Sequence, residues 1–234
     1  MEPGHPYCGK CGYNERFGPP PDASLAKPPV AASYGYGAGR GGSETPNGDL
    51  TAAARDALRG NWGIAIGTMF LYFIIVSVIG AVPLLGTVAM VVVSGPFSLG
   101  MATFFLNLSR GTSREVELIF RGFSQLGVAF AAYWLMFIFV FLWALLLVVP
   151  GIIKAFSYSM TYMIIADNEG ISAMDAIRKS QEMMNGNKAK LFSLFCRFIG
   201  WGILCLFTLG IGFLWLMPYM AVSVAKFYDD IKDH

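Results

Sequence analysis

From Trp62 to Leu108 the chain runs for 47 residues without an Asp, Glu, Lys, Arg or His. Gly122–Ile153 and Phe198–Ala225 are free of them too. A helix crossing the roughly 30 Å hydrocarbon core of a bilayer needs about 20 apolar residues. The first stretch is therefore long enough for two crossings. The buried helix of a soluble protein accounts for only about a dozen such residues. Charged residues make up 14% of the chain and hydrophobic ones 55%, where a soluble domain carries about 25% charged residues. The sequence thus specifies an all-α membrane protein with several crossings.

Punctuation within the apolar stretches places the crossings. Pro83 ends the first, at about 62–82, and the second follows at about 87–108, with Gly95-Pro96 predicting a kink near its middle. The third spans about 126–149 and is broken at Pro150-Gly151. The fourth, about 152–166, is short, with Lys154 near its start. The fifth and sixth, about 191–209 and 213–228, flank the turn Gly210-Ile211-Gly212.

Three segments between these runs are amphipathic. In residues 49–60, Leu50, Ala54, Ala57 and Leu58 share a face, Asp49 or Thr51 can cap the start, and the helix suits a membrane surface. In residues 113–124, Val116, Ile119, Phe120 and Phe123 fall at helical spacing. In residues 171–187, Ser172 and Asp175 make a capping-box-like start, and Ile171, Met174, Ile177 and Met184 can line one face. Six crossings in three hairpin-like units result, each unit preceded by an amphipathic interfacial helix. Gly60-Asn61 and Gly186-Asn187 hold matching places in the first and third units, the signature of an internal repeat.

Arg55, Arg59, Arg110, Arg114, Arg121, Arg178, Lys179, Lys188, Lys190, Lys226 and Lys232 all fall on one side of a six-crossing arrangement. The positive-inside rule then places both termini in the cytoplasm. Trp62, Arg55 and Arg59 are the expected interfacial anchors. A net charge of +2 argues against nucleic acid as a partner. The expected partners are the lipid bilayer and a membrane protein or second copy of the chain.

The second half also carries familiar motifs. Pro150–Tyr162 (PGIIKAFSYSMTY) runs on into Ile165-Ala166-Asp167-Asn168. With Ser180–Lys190 (SQEMMNGNKAK), Phe198–Trp201 (FIGW) and Leu206–Tyr219 (LFTLGIGFLWLMPY), it resembles the uncharacterised bacterial membrane family known as domain of unknown function 975. Leu58–Trp62 (LRGNW) and Arg121–Phe123 (RGF) extend the resemblance over about residues 50–230. It implies a multi-helix protein of the bacterial cell membrane and no reaction. The family is similar in organisation to the membrane domain attached to some glycerophosphodiester phosphodiesterases. That activity does not carry over, because no such catalytic domain is present.

Residues 1–48 contain eight of the twelve prolines and ten glycines. Residues 15–48 read as a disordered Gly/Pro-rich linker, too poor in apolar surface to offset its ordering entropy. Residues 1–14 look like a fragment of a zinc ribbon, with Cys8 and Cys11 at C-x-x-C spacing and His5 nearby. A structural zinc site needs four ligands. Two tails in a dimer would supply four thiolates, whereas a single tail falls short. The expectation is no cofactor.

Candidate chemistry is sparse. Neither histidine sits in a crossing, no nucleophile–base pair is visible, and Asp167 and Glu169 fall at a helix end, where a solvated cap is the common role. Lys154 and Arg197 lie near helix ends and can snorkel. Tyr158, Thr161 and Tyr162 fall at helical spacing and, with Lys154, define a candidate polar path. The same residues can equally hydrogen-bond a neighbouring helix. Gly63 and Gly67 form a GxxxG pair suited to close helix packing. The leading expectation is a non-catalytic structural or accessory membrane protein. The alternatives are a transporter or channel-like protein for a small molecule or lipid, and a membrane-bound lipid-modifying enzyme.

Overall fold

The computed structural model describes residues 45–208 and 210–232. The zinc-ribbon expectation for His5, Cys8 and Cys11, and that for residues 15–44, lie outside them. The described residues form α1 (Asn47–Leu58), α2 (Trp62–Gly80), α3 (Leu85–Arg110), a 3-10 helix (Val116–Gln125), α4 (Leu126–Leu146), α5 (Val148–Tyr158), α6 (Thr161–Asp167), α7 (Ala173–Met183), α8 (Lys188–Phe207) and α9 (Phe213–Ile231). There is no strand among them.

Five segments are long and apolar enough to cross a membrane: Trp62–Gly80, Gly86–Arg110, Val116–Leu146, Val148–Asp167 and Lys188–Phe207. The chain is a multi-pass, all-α membrane protein. Helix α9, the expected sixth crossing, is as long as α2 but carries Lys226, Asp229 and Asp230 near its C-terminal end.

The three units differ in sequence yet share an architecture. Each second helix is an inner one. Of the spanning residues, 44% of α3 and 44% of α5–α6 are buried within the protein, against 11% of α2, 11% of Val116–Leu146 and 22% of α8. Helix α3 packs on both α6 and α9 and forms the centre. Units one and three also match atom for atom at their turns. Gly60 and Gly186 both take positive φ, at 76° and 85°. The next residue, Asn61 or Asn187, donates its side-chain amide to a carbonyl four residues back, Ala57 at 3.0 Å or Met183 at 2.9 Å. Each of those asparagines accepts, at its own carbonyl, the amide of the residue four further on.

Close helix approach explains several glycines. The 3-10 helix lies on α3, and a Cβ on Gly100 would overlap the Ile119 carbonyl oxygen. One on Gly122 would overlap the carbonyl oxygen of Pro96. Gly63 and Gly67, by contrast, face open space.

The amphipathic segments depart from expectation in instructive ways. Helix α1 begins at Asn47, after Pro46, so neither Asp49 nor Thr51 caps it. Its apolar face, Leu50, Ala54 and Leu58, is taken up by α9 and α3. Residues 116–125 are 3-10 rather than α. Three residues per turn bury Leu118, Ile119 and Gly122 and leave Phe120 exposed. Helix α7 is capped by Ser172, which accepts the Asp175 amide at 3.1 Å. Its buried face is Ala173, Ala176, Ile177, Ser180 and Met184, so Met174 turns outward. Between α4 and α5 the break is the extended residue Leu147 (φ −161°). Pro150 falls in the first turn of α5, where its missing amide proton costs nothing. The fourth crossing is instead interrupted at Ser159–Met160, between α5 and α6.

Candidate functional site

The three inner helices end together. Arg110 closes α3, Asp167 closes α6, and Asp229 lies in the last turn of α9, one residue from each unit. The Arg110 guanidinium donates from Nη1 and Nη2 to the two Asp167 oxygens at 2.6 and 3.1 Å. It donates to Asp229 Oδ1 from Nε at 3.0 Å and Nη2 at 2.7 Å. A planar fork of donors suits two carboxylates at once, which a lysine cannot imitate. The Tyr228 hydroxyl donates to Asp167 at 3.2 Å. Lys232 completes the cluster more loosely, at 3.5 Å from Asp167 and 3.7 Å from Asp229.

A second node lies beside it on α9. Lys190, at the start of α8, pairs with Asp230 at 3.2 Å, and the two side chains are 16% and 6% exposed. Thr45 donates to the same carboxylate, and the Asn47 side-chain amide donates to the Lys190 carbonyl at 3.2 Å. The residues entering α1 are thereby tied to the base of α8 and α9. Arg121 and Glu169 form an exposed pair at 3.2 Å.

The candidate polar path maps onto a helix interface. Lys154 Nζ sits 5.1 Å from the centre of the Trp143 ring, and the Tyr158 ring lies 6.2 Å from that of Phe139. Both partners are on α4. The Thr161 hydroxyl donates to the Tyr158 carbonyl at 2.8 Å. The Tyr162 hydroxyl is buried in the neighbourhood of Ser98 and Tyr133. The structure places Lys154, Tyr158 and Tyr162 along one stripe facing the aromatic side chains of α4. Arg55 and Arg59 are exposed, Arg59 beside Asp56 at 3.3 Å. Trp62 is partly buried against the cluster around Ala54 and Leu58. No group of three or more His, Cys, Asp or Glu suited to a metal occurs among the described residues.

The Arg110 cluster was not visible in the sequence, where Asp167 reads as a solvated cap. The available signal was positional: each unit's second helix ends in a charged residue within a turn of its last apolar one.

Residues 144–234 match DUF975, a protein family of unknown function. The DUF975 match begins at the end of α4 and covers α5–α9, so it contains Asp167, Asp229 and Lys232 but not Arg110. It covers the later part of the 50–230 range over which the motifs suggest the family. No curated protein and no solved structure matches the chain.

Proposed function

We propose that this chain is a non-catalytic protein of the bacterial cell membrane, with both ends in the cytoplasm, serving as a structural or accessory subunit of a membrane assembly. One observation carries the reading. The carboxylates at the inner helix ends are each held by a cation, Asp167 and Asp229 by Arg110, and Asp230 by Lys190. A carboxylate held in this way is poorly placed to accept a substrate proton. The helices turn a broad apolar surface outward, including Phe137, Phe141, Trp201 and Phe207, for lipid or partner helices.

Blue-native electrophoresis of gently solubilised membranes tests the role. The chain should migrate in an assembly larger than its 25.5 kDa monomer. Migration only as a monomer overturns the accessory reading. Lipid turnover by the purified protein, lost in D167N or E169Q, would overturn its non-catalytic part. A reporter fused after His234 should appear inside the cell.

A further inference from the structure

A cleft of about 290 Å³ opens between the inner helices α3, α6 and α9 and the outer helices α2 and α8, and is lined chiefly by Met69, Met101, Phe105, Met163, Phe195 and Met220. No charged side chain lines it. Its walls belong to α2, α3, α6, α8 and α9, the first four of which lie in segments long and apolar enough to cross a membrane. Helical spacing ties it to the charged cluster. Met163 and Asp167 are four residues apart on α6, as are Val224 and Tyr228 on α9, so each pair shares a face. One turn beyond the lining residues, the same faces carry Tyr228 and Asp167, which are bonded to each other at 3.2 Å.

Among the described residues the charge one turn beyond the cleft is unbalanced. Arg110 and Lys232 face Asp167 and Asp229. Lys226, half-buried one turn before Asp229, lies within Coulomb range of Asp229 and Arg110 and has no ion pair among the described residues. Among the described residues, three cations against two carboxylates leave one positive charge. Arg110 is fully engaged, while Lys232 is 30% exposed and held only at 3.5 and 3.7 Å.

We propose that this is a lipid site: one acyl chain of an anionic glycerophospholipid fills the methionine-lined cleft, and its phosphate sits at Lys232. An uncharged cleft lined by methionines and phenylalanines suits a segment of acyl chain. Thioether side chains adapt their shape to such a chain at little cost. One phosphodiester charge matches the single excess cation among the described residues. The site depends on the chain spanning a bilayer and is independent of the accessory role.

Native mass spectrometry of the full chain, washed extensively in detergent and then offered phosphatidylglycerol or diacylglycerol, tests it. The wild type should retain one phosphatidylglycerol. M101W and A221F, which fill the cleft from two different helices, should each lower its occupancy at least tenfold, and M220L should keep it. K232Q should lower phosphatidylglycerol occupancy several-fold and leave diacylglycerol unchanged. A wild type that retains no lipid overturns the proposal whatever the variants do. So does equal retention by M101W and A221F where both elute as monodisperse, helical protein. Equal loss of both lipids in K232Q overturns the placement of the phosphate. Loss of lipid binding without loss of the larger assembly would leave the accessory role standing.

Discussion

The Ser180 hydroxyl donates to the Ser157 carbonyl at 2.8 Å and accepts the Met160 amide at 3.2 Å. One side chain of α7 thus satisfies the main chain on both sides of the α5–α6 break. The site is fully buried, with Ser180 at 0% exposure. Inside a membrane protein no water replaces a lost partner there.

S180A should therefore lower stability by about 1–3 kcal/mol, the cost of leaving buried polar groups unpaired. Thermal unfolding in detergent would show this as a fall in Tm. An unchanged Tm would mean that the break is satisfied in another way.

The glycine contacts between α3 and the 3-10 helix predict a sharper loss. G100A and G122A place a methyl group onto main-chain carbonyls, which cannot swing aside as a side chain does. Each should cost at least the roughly 1–3 kcal/mol typical of overpacking. G127A is the control, because its Cβ meets nothing within 4 Å, and its Tm should barely move.

Arg110 and Asp167 should be energetically coupled. In a double-mutant cycle of R110Q and D167N, the coupling should be about 1–2 kcal/mol. Their side chains are 26% and 23% exposed, so solvent screening keeps the value below that of a fully buried pair. Single variants should lose more than the pair contributes, because each leaves a partly buried charge unmatched. Additive effects in chemical denaturation would show that the pair contributes no interaction of its own.

The matching turns predict matching penalties. G60A and G186A each force an alanine into the left-handed region, at a cost of about 1–2 kcal/mol. The two sites lie in different units, so the double variant should lose about the sum. Unequal losses in the same unfolding assay would indicate that the two turns bear different loads.

Much of this organisation is legible in the sequence because hydropathy reports the solvent directly. A helix such as α2, without a charged residue along its length, has only one medium in which it is at ease. Turn chemistry is equally local: Gly60-Asn61 and Gly186-Asn187 mark their turns because glycine alone takes positive φ without strain. Met174 shows where local reading fails. Its spacing suits the apolar face of α7, yet Ser180 holds that face because the α5–α6 break needs a donor and an acceptor there.

The sequence by itself determined that this chain crosses a membrane in hairpin-like units, with charge gathered at one end of each. The tertiary structure alone decided that α3, α5–α6 and α9 lie inside while α2, α4 and α8 lie outside. It alone brought Arg110 onto Asp167 and Asp229, and the apolar face of α1 onto α9. The physical reason is that lipid and protein interior are alike apolar, so in a membrane an inward face and an outward face are written with the same residues.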